Sequence, residues 1–227
     1  MIRLRLDVSG GQAIRVPLGC EDSHYLVDVM RLKAGDSLEV LTRDNTVWSA
    51  VLEPNHMVRL QTELDRHNRL PRHVTLYQAL LKGDHFGAVV DRATQAGVGR
   101  IVPIVTARCI VREVSLNKRA RWSLLAKEAG EQSHRIDVPD IGDLASLDSL
   151  VPGGGAFGCV LDPRAAYDRP WLEPQHGPVE LVVGPEGGLT PDEVSRLQSV
   201  GFRPISLGPR VYRAENAGAF ATVLFLQ

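Results

Sequence analysis

The sequence predicts an α/β domain with a parallel sheet, preceded by a smaller domain of short β-strands. Residues 1–70 contain several short runs that alternate apolar and polar residues, which is typical of half-buried strands. Residues 73–227 instead alternate continuous apolar runs with amphipathic helical patterns, which is typical of a parallel sheet covered by helices. The polar stretch DRHNRLPRH at 65–73 separates the two patterns and is predicted to be the linker.

The composition is that of a globular protein with a hydrophobic core, since 44% of the residues are hydrophobic and 23% are charged. The formal net charge of −1 means that any affinity for nucleic acid must come from a local patch. No apolar run approaches the ~18 residues that span a bilayer, and the first residues lack a signal-peptide core, so we expect a cytoplasmic protein. The histidines have no metal-ligand spacing, so we expect no metal site. Three isolated cysteines are predicted to be small buried hydrophobes: Cys20, Cys109 and Cys159.

The first domain is predicted to be a small β-barrel. In IRLRLDV the apolar residues face one side, and Arg3, Arg5 and Asp7 face the other. The runs SLEVLT, TVWSAVLE and MVRLQTEL supply further strands. Between the first two strands, EDSHYLVDVMRLKAGD indicates one short helix closed by Gly35.

The second domain begins with the apolar strand VTLYQALL. An amphipathic helix follows and ends at Gly97, and its buried face is predicted to hold Phe86, Val89, Val90 and Ala93. After the strand RIVPIVT, a second helix is predicted to bury Trp122, Leu125, Ala126 and Ala129. The runs FGCVLD, VELVVG and RPISLG predict three more strands. The segment RAENAGAFATVLFLQ predicts a last helix that is apolar on most sides and therefore buried.

The loop in LVVGPEGGLTPDEV joins the end of a strand to the start of a helix. Thr190, Pro191 and Glu193 are typical of an N-cap, a first helical residue and a capping box. Such loops often bind phosphate, but this one is neither GxGxxG nor a P-loop. Pro185 removes one amide donor, and Glu186 repels a phosphate. A ligand that is neutral or cationic here, such as S-adenosylmethionine, fits better; an ordinary tight turn is the alternative.

A second glycine turn, in SLGPRVYRAEN, also lies between a strand and a helix. Parallel strands end at one edge of an open α/β sheet, where ligands bind, so the two turns are expected to lie together. The second turn also brings four polar side chains to the start of the last helix: Arg210, Arg213, Glu215 and Asn216. We expect a ligand site here; the alternative is that Arg213 and Glu215 are solvated surface groups.

Together, GPEGGLTPDEV and LGPRVYRAENA resemble the RsmE-type 16S rRNA uridine-N3 methyltransferases of the SPOUT class. Three further segments resemble that family in the same order: HYLVDVMRLKAGD, QALLKGDHFGAVVDRATQAGVGRIVPIVTAR and RWSLLAKEAGEQSHRIDVPDI. The resemblance runs from about residue 24 to the C-terminus. It implies a PUA-like β-barrel, an α/β SPOUT domain with a trefoil knot, a homodimer, and S-adenosylmethionine bound in the knot.

The resemblance also implies the site residues. The expected cofactor contacts are Leu161, Val183, Gly184, Pro185, Glu186, Gly187, Gly188, Leu207, Gly208, Val211, Tyr212 and Asn216. As catalytic residues we expect Arg213, which would pair with a uracil carbonyl as negative charge develops, and Glu215, which would orient Arg213 or take the proton.

Contacts with RNA are expected in both domains. The candidates in the first domain are Arg3, Arg5, His24, Arg31 and Lys33, and those in the second are Gln132 and Arg135. Between residues 100 and 135, eight Lys or Arg face three acidic residues, and this excess predicts phosphate contacts. A solvated helix face is the alternative interpretation.

The sequence departs from the family pattern at several positions, among them Asp91, Arg92, Gln95 and Asn216. Where the family has Gln-Lys, this chain has Asp91-Arg92. Four residues after that Gln the family has Glu, and this chain has Gln95. Where the family has Thr after the Glu of the last motif, this chain has Asn216. Two alternatives to a uridine-N3 enzyme stay open: another SPOUT enzyme that methylates ribose 2′-O, and a non-catalytic RNA-binding protein of ribosome assembly. An enzyme of nucleotide phosphates is a distant further alternative.

Overall fold

A computed structural model of the protein describes residues 2–64, 72–172 and 177–227. The chain forms two compact units. The first comprises Met1–Arg69 together with Glu131–Asp137, and the second comprises Leu70–Gly130 and Val138–Gln227. The predicted linker lies, from 65 to 71, outside the described residues. The short segment Glu131–Asp137 is far from the rest of the first unit in the sequence, and no local pattern marks it.

The first unit is a five-stranded sheet in the order β1-β3-β4-β5-β2. Its strands are β1 (Arg3–Arg5), β2 (Arg15–Pro17), β3 (Ser37–Leu41), β4 (Val47–Glu53) and β5 (Met57–Leu64). The pair β1–β3 is parallel and the other pairs are antiparallel. The alternating apolar residues meet in one core, which includes Leu4, Val40 and Leu60.

The single helix predicted in the first unit has two parts. The four-residue α1 (Cys20–Ser23) leads into a π-helix, His24–Val29, in which Leu26 is the buried residue. The prediction that all three cysteines are buried was wrong for Cys20, which is exposed because α1 buries none of its residues.

The second unit is built on a seven-stranded parallel sheet in the order β12-β10-β11-β6-β7-β8, with β9 also paired to β7. Its strands are β6 (Val74–Ala79), β7 (Arg100–Val105), β8 (Asp140–Ile141), β9 (Ala145–Ser146), β10 (Phe157–Leu161), β11 (Val179–Val183) and β12 (Arg203–Ile205). Three short strands, β2, β8 and β9, were not predicted, because each has only two or three residues and lies in no longer apolar or alternating run.

Four helices belong wholly or mainly to the second unit: α2 (His85–Ala96), α3 (Leu116–Gln132), α4 (Pro191–Ser199) and α5 (Ala214–Leu226). The predicted inner face of α2 is buried, and Gly97 ends the helix in a left-handed conformation with φ +105°. α5 packs against α2, β6 and β11. The prediction that this helix is buried was wrong for part of its surface, since Phe220 and Val223 are 45% and 42% exposed. Within the described residues, no helix is both long and apolar enough to cross a membrane.

Candidate active site

A cavity of about 710 Å³ opens at the carboxyl ends of β10, β11 and β12. All of its lining residues belong to the second unit. Two strand-to-helix junctions form its opposite walls: the loop from β11 to α4 and the loop from β12 to α5. This is the edge where an open parallel sheet binds ligands.

The β11–α4 loop is held by its own helix cap. The Thr190 hydroxyl accepts a hydrogen bond from the Glu193 amide, and the Glu193 carboxylate accepts one from the Thr190 amide, so the predicted capping box is present. Pro191 occupies the first helical position, where its missing N–H costs nothing. The start of α4 is therefore fixed by residues within the loop itself.

Two preceding loops also hold the β11–α4 loop. The Lys82 amide, after β6, donates a hydrogen bond to Glu186 Oε1 at 2.9 Å. After β7, the Ala107 amide donates to Glu193 Oε1, and Arg108 Nη1 donates to the Gly187 carbonyl, both at 2.6 Å. The carboxylate of Glu186 thus joins two strand-end loops by a hydrogen bond, which is one of the two roles, beside a place near the target base, that the family resemblance left open for it.

The β12–α5 loop is held mainly at its strand end. The buried Ser206 hydroxyl donates to the Gly208 carbonyl and accepts from the Gly208 amide, and Gly208 has φ +117°, which suits glycine. Toward α5 the chain is open to solvent, and Val211 is 78% exposed. Arg213 is the N-cap of α5, but no side chain caps the helix there.

Both predicted catalytic residues line the cavity. The Arg213 side chain is 82% exposed, whereas the Glu215 side chain is 11% exposed, and Arg213 Nη1 lies 3.9 Å from Glu215 Oε1. The carboxylate can therefore orient the guanidinium from below while leaving its outer face free for a ligand.

A second carboxylate with an arginine follows β10. Arg164 donates to both Asp162 oxygens from its side chain and to Oδ1 from its amide. Burial opposes ionisation of Asp162, but the hydrogen bonds and charge of Arg164 outweigh it and hold the pKa of Asp162 below its usual value. Asp162 is therefore ionised at neutral pH and forms an ion pair with Arg164 in the cavity lining.

Most of the predicted cofactor residues lie together. Ten of the twelve line the cavity: Leu161, Val183, Gly184, Pro185, Glu186, Gly187, Gly188, Leu207, Val211 and Tyr212. Gly208 and Asn216 do not line it, since Gly208 lies against the ring of Tyr167 and Asn216 faces α2. Five polar residues of the lining were not singled out from the sequence: His85, Arg108, Asp162, Arg164 and Ser206. Asp162 lies at the end of a predicted strand, and this position could have identified it as a candidate ligand contact.

The predicted RNA contact at Arg3 needs correction, whereas the one at Arg5 stays a prediction. Arg3 is 5% exposed, pairs with the buried Glu39 at 2.7 Å and donates to the His134 carbonyl. Arg5 is half-buried and donates to the Ile136 carbonyl at 2.8 Å. Arg3 has no free surface for a phosphate, and both side chains instead hold the segment Glu131–Asp137 within the first unit.

The other predicted RNA contacts differ in exposure. His24, Arg31, Lys33 and Gln132 are exposed, although His24 pairs with Asp28 at 2.8 Å. Arg135 is 8% exposed and pairs with Asp137, so the structure does not present it to solvent.

In the basic segment, residues 100–135, four of the eight cations pair with acids outside that range, and one of these is Arg135, with Asp137. Arg100, Arg119 and Arg121 pair with Asp140, Asp143 and Asp84, respectively. Arg108 and Arg112 donate to backbone carbonyls instead, so their charges stay available. Counting charges along the sequence therefore overstated the patch, because the partners lie beyond its ends.

Comparison with known proteins identifies the family. A model described as RNA methyltransferase domain matches residues 68–226, and one described as RNA methyltransferase PUA domain matches residues 19–57. The chain belongs to this RNA methyltransferase family. It is therefore an RNA methyltransferase of the class that the sequence predicts, and the α/β SPOUT fold with an N-terminal PUA-like domain is confirmed.

Relatives and solved structures agree with this family. Ribosomal RNA small subunit methyltransferase E of Synechocystis is 34% identical over 96% of this chain and 75% of the relative. The protein of the same name from Bacillus subtilis is 31% identical over 88% of this chain and 85% of the relative. The methyltransferase E structure from Neisseria gonorrhoeae, bound to S-adenosyl methionine, is 26% identical and covers 98% and 95% of the two chains with a TM-score of 0.87. The predicted cofactor is the one bound in that structure.

A second solved structure carries the same cofactor. It is a methyltransferase from Legionella pneumophila in complex with SAM, 28% identical, covering 99% of this chain and 96% of the other with a TM-score of 0.84. Similarity over nearly the whole of both chains means that both units, and not the cavity alone, are shared with these proteins.

Proposed function

We propose that this chain uses S-adenosylmethionine to methylate N3 of a specific uridine in 16S rRNA of the small ribosomal subunit. One observation carries the proposal: the two strand-end loops enclose a single cavity, and Arg213 and Glu215 meet at its wall. The names of the relatives, ribosomal RNA small subunit methyltransferase E, support the substrate.

The residues of the cavity fit the cofactor. Pro185 supplies no amide donor and Glu186 is acidic, so the first wall is poorly suited to phosphate. Glu215 offers negative charge to a sulfonium or an ammonium group, the ion pair of Asp162 and Arg164 offers polar groups to the amino acid part of the cofactor, and apolar side chains offer a surface for an adenine. A volume of about 710 Å³ lies within the range of small-molecule sites.

The reaction replaces the proton on uridine N3 by a methyl group. When bound, S-adenosylmethionine supplies that methyl group and leaves without it. Arg213 donates hydrogen bonds to a uracil carbonyl and so stabilises the negative charge that develops as N3 loses its proton. Glu215, nearly buried beneath Arg213, holds the guanidinium in place or takes the proton. Holding uridine and cofactor in line supplies much of the rate.

We propose that the domains at 1–70 and 73–227 have different roles. The second domain holds the cavity and therefore performs the chemistry. The first domain binds RNA, and its exposed candidates are His24, Arg31 and Lys33. Because the ribosome is the proposed substrate, we place the reaction in the cytoplasm.

A homodimer is also part of the proposal. Phe220 and Val223 lie one turn apart on α5 and are both exposed, and Tyr212 stacks edge-on against Phe220 at 5.0 Å. Exposed apolar residues that lie together are typical of protein interfaces. The same patch adjoins the cavity through Tyr212, so a second copy covering it would also shield the site.

The test uses small ribosomal subunits from a strain that lacks this gene. The purified protein and methyl-labelled S-adenosylmethionine are added, and the rRNA is digested to nucleosides. We expect labelled 3-methyluridine. A 2′-O-methyl nucleoside would establish the ribose-methylating alternative, and no label from folded protein that binds the cofactor would contradict catalysis on this substrate.

A further inference from the structure

Four of the departures from the family pattern contact each other in pairs. Arg92 Nη1, on α2, donates a hydrogen bond of 2.6 Å to Asn216 Oδ1, in the first turn of α5. On α2 itself, Gln95 Nε2 donates one of 3.0 Å to Asp91 Oδ1, four residues earlier. Each of these four residues therefore has a hydrogen-bond partner among the other three.

Each pair keeps a donor and an acceptor. At positions 91 and 95, amide and carboxylate have exchanged places relative to the family pattern, and either order allows one amide-to-carboxylate hydrogen bond across a helical turn. At positions 92 and 216, a cationic donor faces a short side chain with an oxygen acceptor, as Lys and Thr would. The departures therefore leave each pair able to form a hydrogen bond, as the family's residue types would be.

The first turn of α5 needs support from outside the helix. Its N-cap, Arg213, makes no capping hydrogen bond through its side chain, and the preceding residues are exposed. In this turn the Arg213 carbonyl accepts hydrogen bonds from the amides of Asn216 and Ala217 at 2.9 and 3.1 Å. A tether on Asn216 therefore acts directly on the backbone that carries Arg213 and Glu215.

We infer that Arg92 is a positioning residue, which holds the first turn of α5 through Asn216 and so places Arg213 and Glu215 at the cavity wall. This inference rests on the catalytic roles proposed above. Neither Arg92 nor Asn216 lines the cavity, so the pair acts on the position of the catalytic residues rather than on a ligand. α5 packs against α2, so the hydrogen bond joins two helices that are already in contact.

The test is a double-mutant cycle with Arg92→Ala, Asn216→Ala and both together, measured in the small-subunit assay. We expect each single change to lower kcat by about tenfold, because a small displacement of reacting groups is costly. The double variant should lose about tenfold and not a hundredfold, since both changes remove one interaction. Arg92→Lys keeps a cationic donor and should retain most of the activity.

The matched control is Asp91→Ala, which removes the neighbouring hydrogen bond on the same helix without touching α5. Its kcat should stay within about twofold of the parent value, because a single exposed pair on a helix is worth little. KM for the cofactor should change little in any variant. Additive losses in the double variant, or a kcat for Arg92→Ala equal to that of Asp91→Ala, would overturn the inference.

A second readout separates the tether from the proposed reaction. In the protein without cofactor, hydrogen exchange of a peptide covering 210–219 should quicken in Arg92→Ala and stay unchanged in Asp91→Ala. An inactive parent protein would contradict the proposed function and leave this exchange result to decide the tether. Equal exchange in both variants would refute the tether even if the parent is active.

Discussion

The two strand-to-helix junctions that form the cavity walls begin their helices in opposite ways. At α4, Thr190 and Glu193 close a full capping box, and Glu186 and Arg108 tie the loop to its neighbours. At α5, the N-cap residue is an arginine whose side chain points into solvent, and the helix start is held from α2 by Arg92.

The cavity therefore has one wall that is held by many hydrogen bonds, the β11–α4 loop, and one that is held by few, the β12–α5 loop. We call them the prepared wall and the adjustable wall. Hydrogen bonds of the chain's own groups hold the β11–α4 loop, so we expect binding there to cost little ordering. The β12–α5 loop leaves Val211, Tyr212 and Arg213 exposed, and these side chains lose freedom only when a ligand or partner covers them. We therefore expect changes at the first wall to affect stability and cofactor affinity, and changes at the second to affect the rate.

The largest expected effect is that of Arg213→Ala at the adjustable wall. Loss of the hydrogen-bond donor should lower kcat by about 100-fold or more, as removal of a charge-stabilising donor does elsewhere. The dissociation constant of the cofactor, measured by calorimetry, should change by less than about twofold. Arg100→Ala, which removes an exposed arginine paired with Asp140, is the control. An active Arg213→Ala variant would contradict the catalytic role proposed for Arg213.

The next largest effect should come from Glu186 at the prepared wall. Glu186→Ala removes the acceptor for the Lys82 amide, and the cofactor dissociation constant should rise by about fivefold. Glu186→Gln keeps an oxygen acceptor at the same place, so its dissociation constant should stay near the parent value. If Gln is as damaging as Ala, the negative charge of Glu186 acts on the ligand and the loop-joining role is not the main one.

A smaller effect, confined to stability, is expected from Thr190→Ala. Loss of the N-cap should lower the free energy of unfolding by about 1 kcal/mol, measured by urea denaturation. Thr190→Ser keeps the hydroxyl and should be near neutral. Because the neighbouring loops still hold the first wall, kcat should not change. A drop in kcat beyond about twofold would show that the two walls are not as separate as the structure suggests.

The smallest effect should be outside both junctions, at Arg119 on α3. Its guanidinium pairs with Asp143 and donates to the Ile141 carbonyl, so Arg119→Gln should change RNA affinity by less than about twofold. Arg112→Gln is the matched comparison, because Arg112 donates to a backbone carbonyl only. Its loss should reduce the slope of log affinity against log salt by about one. Equal slopes for the two variants would contradict this account of the basic segment.

The contrast between the walls also explains what the sequence could predict. The capping box at Thr190 was visible because all of its partners lie within four residues. The contacts of Glu186 with Lys82 and of Arg92 with Asn216 span 104 and 124 residues, and no local pattern encodes them. Arg3 looked like a surface cation because it alternates with apolar residues, yet its partner Glu39 lies on a neighbouring strand.

The parallel sheet was predictable as a class, but its order was not. Apolar runs alternating with amphipathic helices indicate parallel strands, and the edge of the sheet where a ligand is expected follows from that arrangement. The position of β6 between β7 and β11 depends on packing across the whole unit. The cavity residues named from the family resemblance lie at the ends of strands that are distant in the sequence. They become neighbours only through the order of the strands in the sheet.

The order of the sheet has a consequence for the synthesis of the chain. β6 pairs on one side with β7, made soon after it, but on the other side with β11, and Val179 follows its partner Val74 by 105 residues. At ~5–20 residues per second, the β11 side of β6 stays unpaired for roughly 5–20 s while translation continues. During that interval an apolar strand edge is open to other nascent chains. Fragments that stop short of β11 should therefore aggregate, whereas slower elongation beyond it should be harmless.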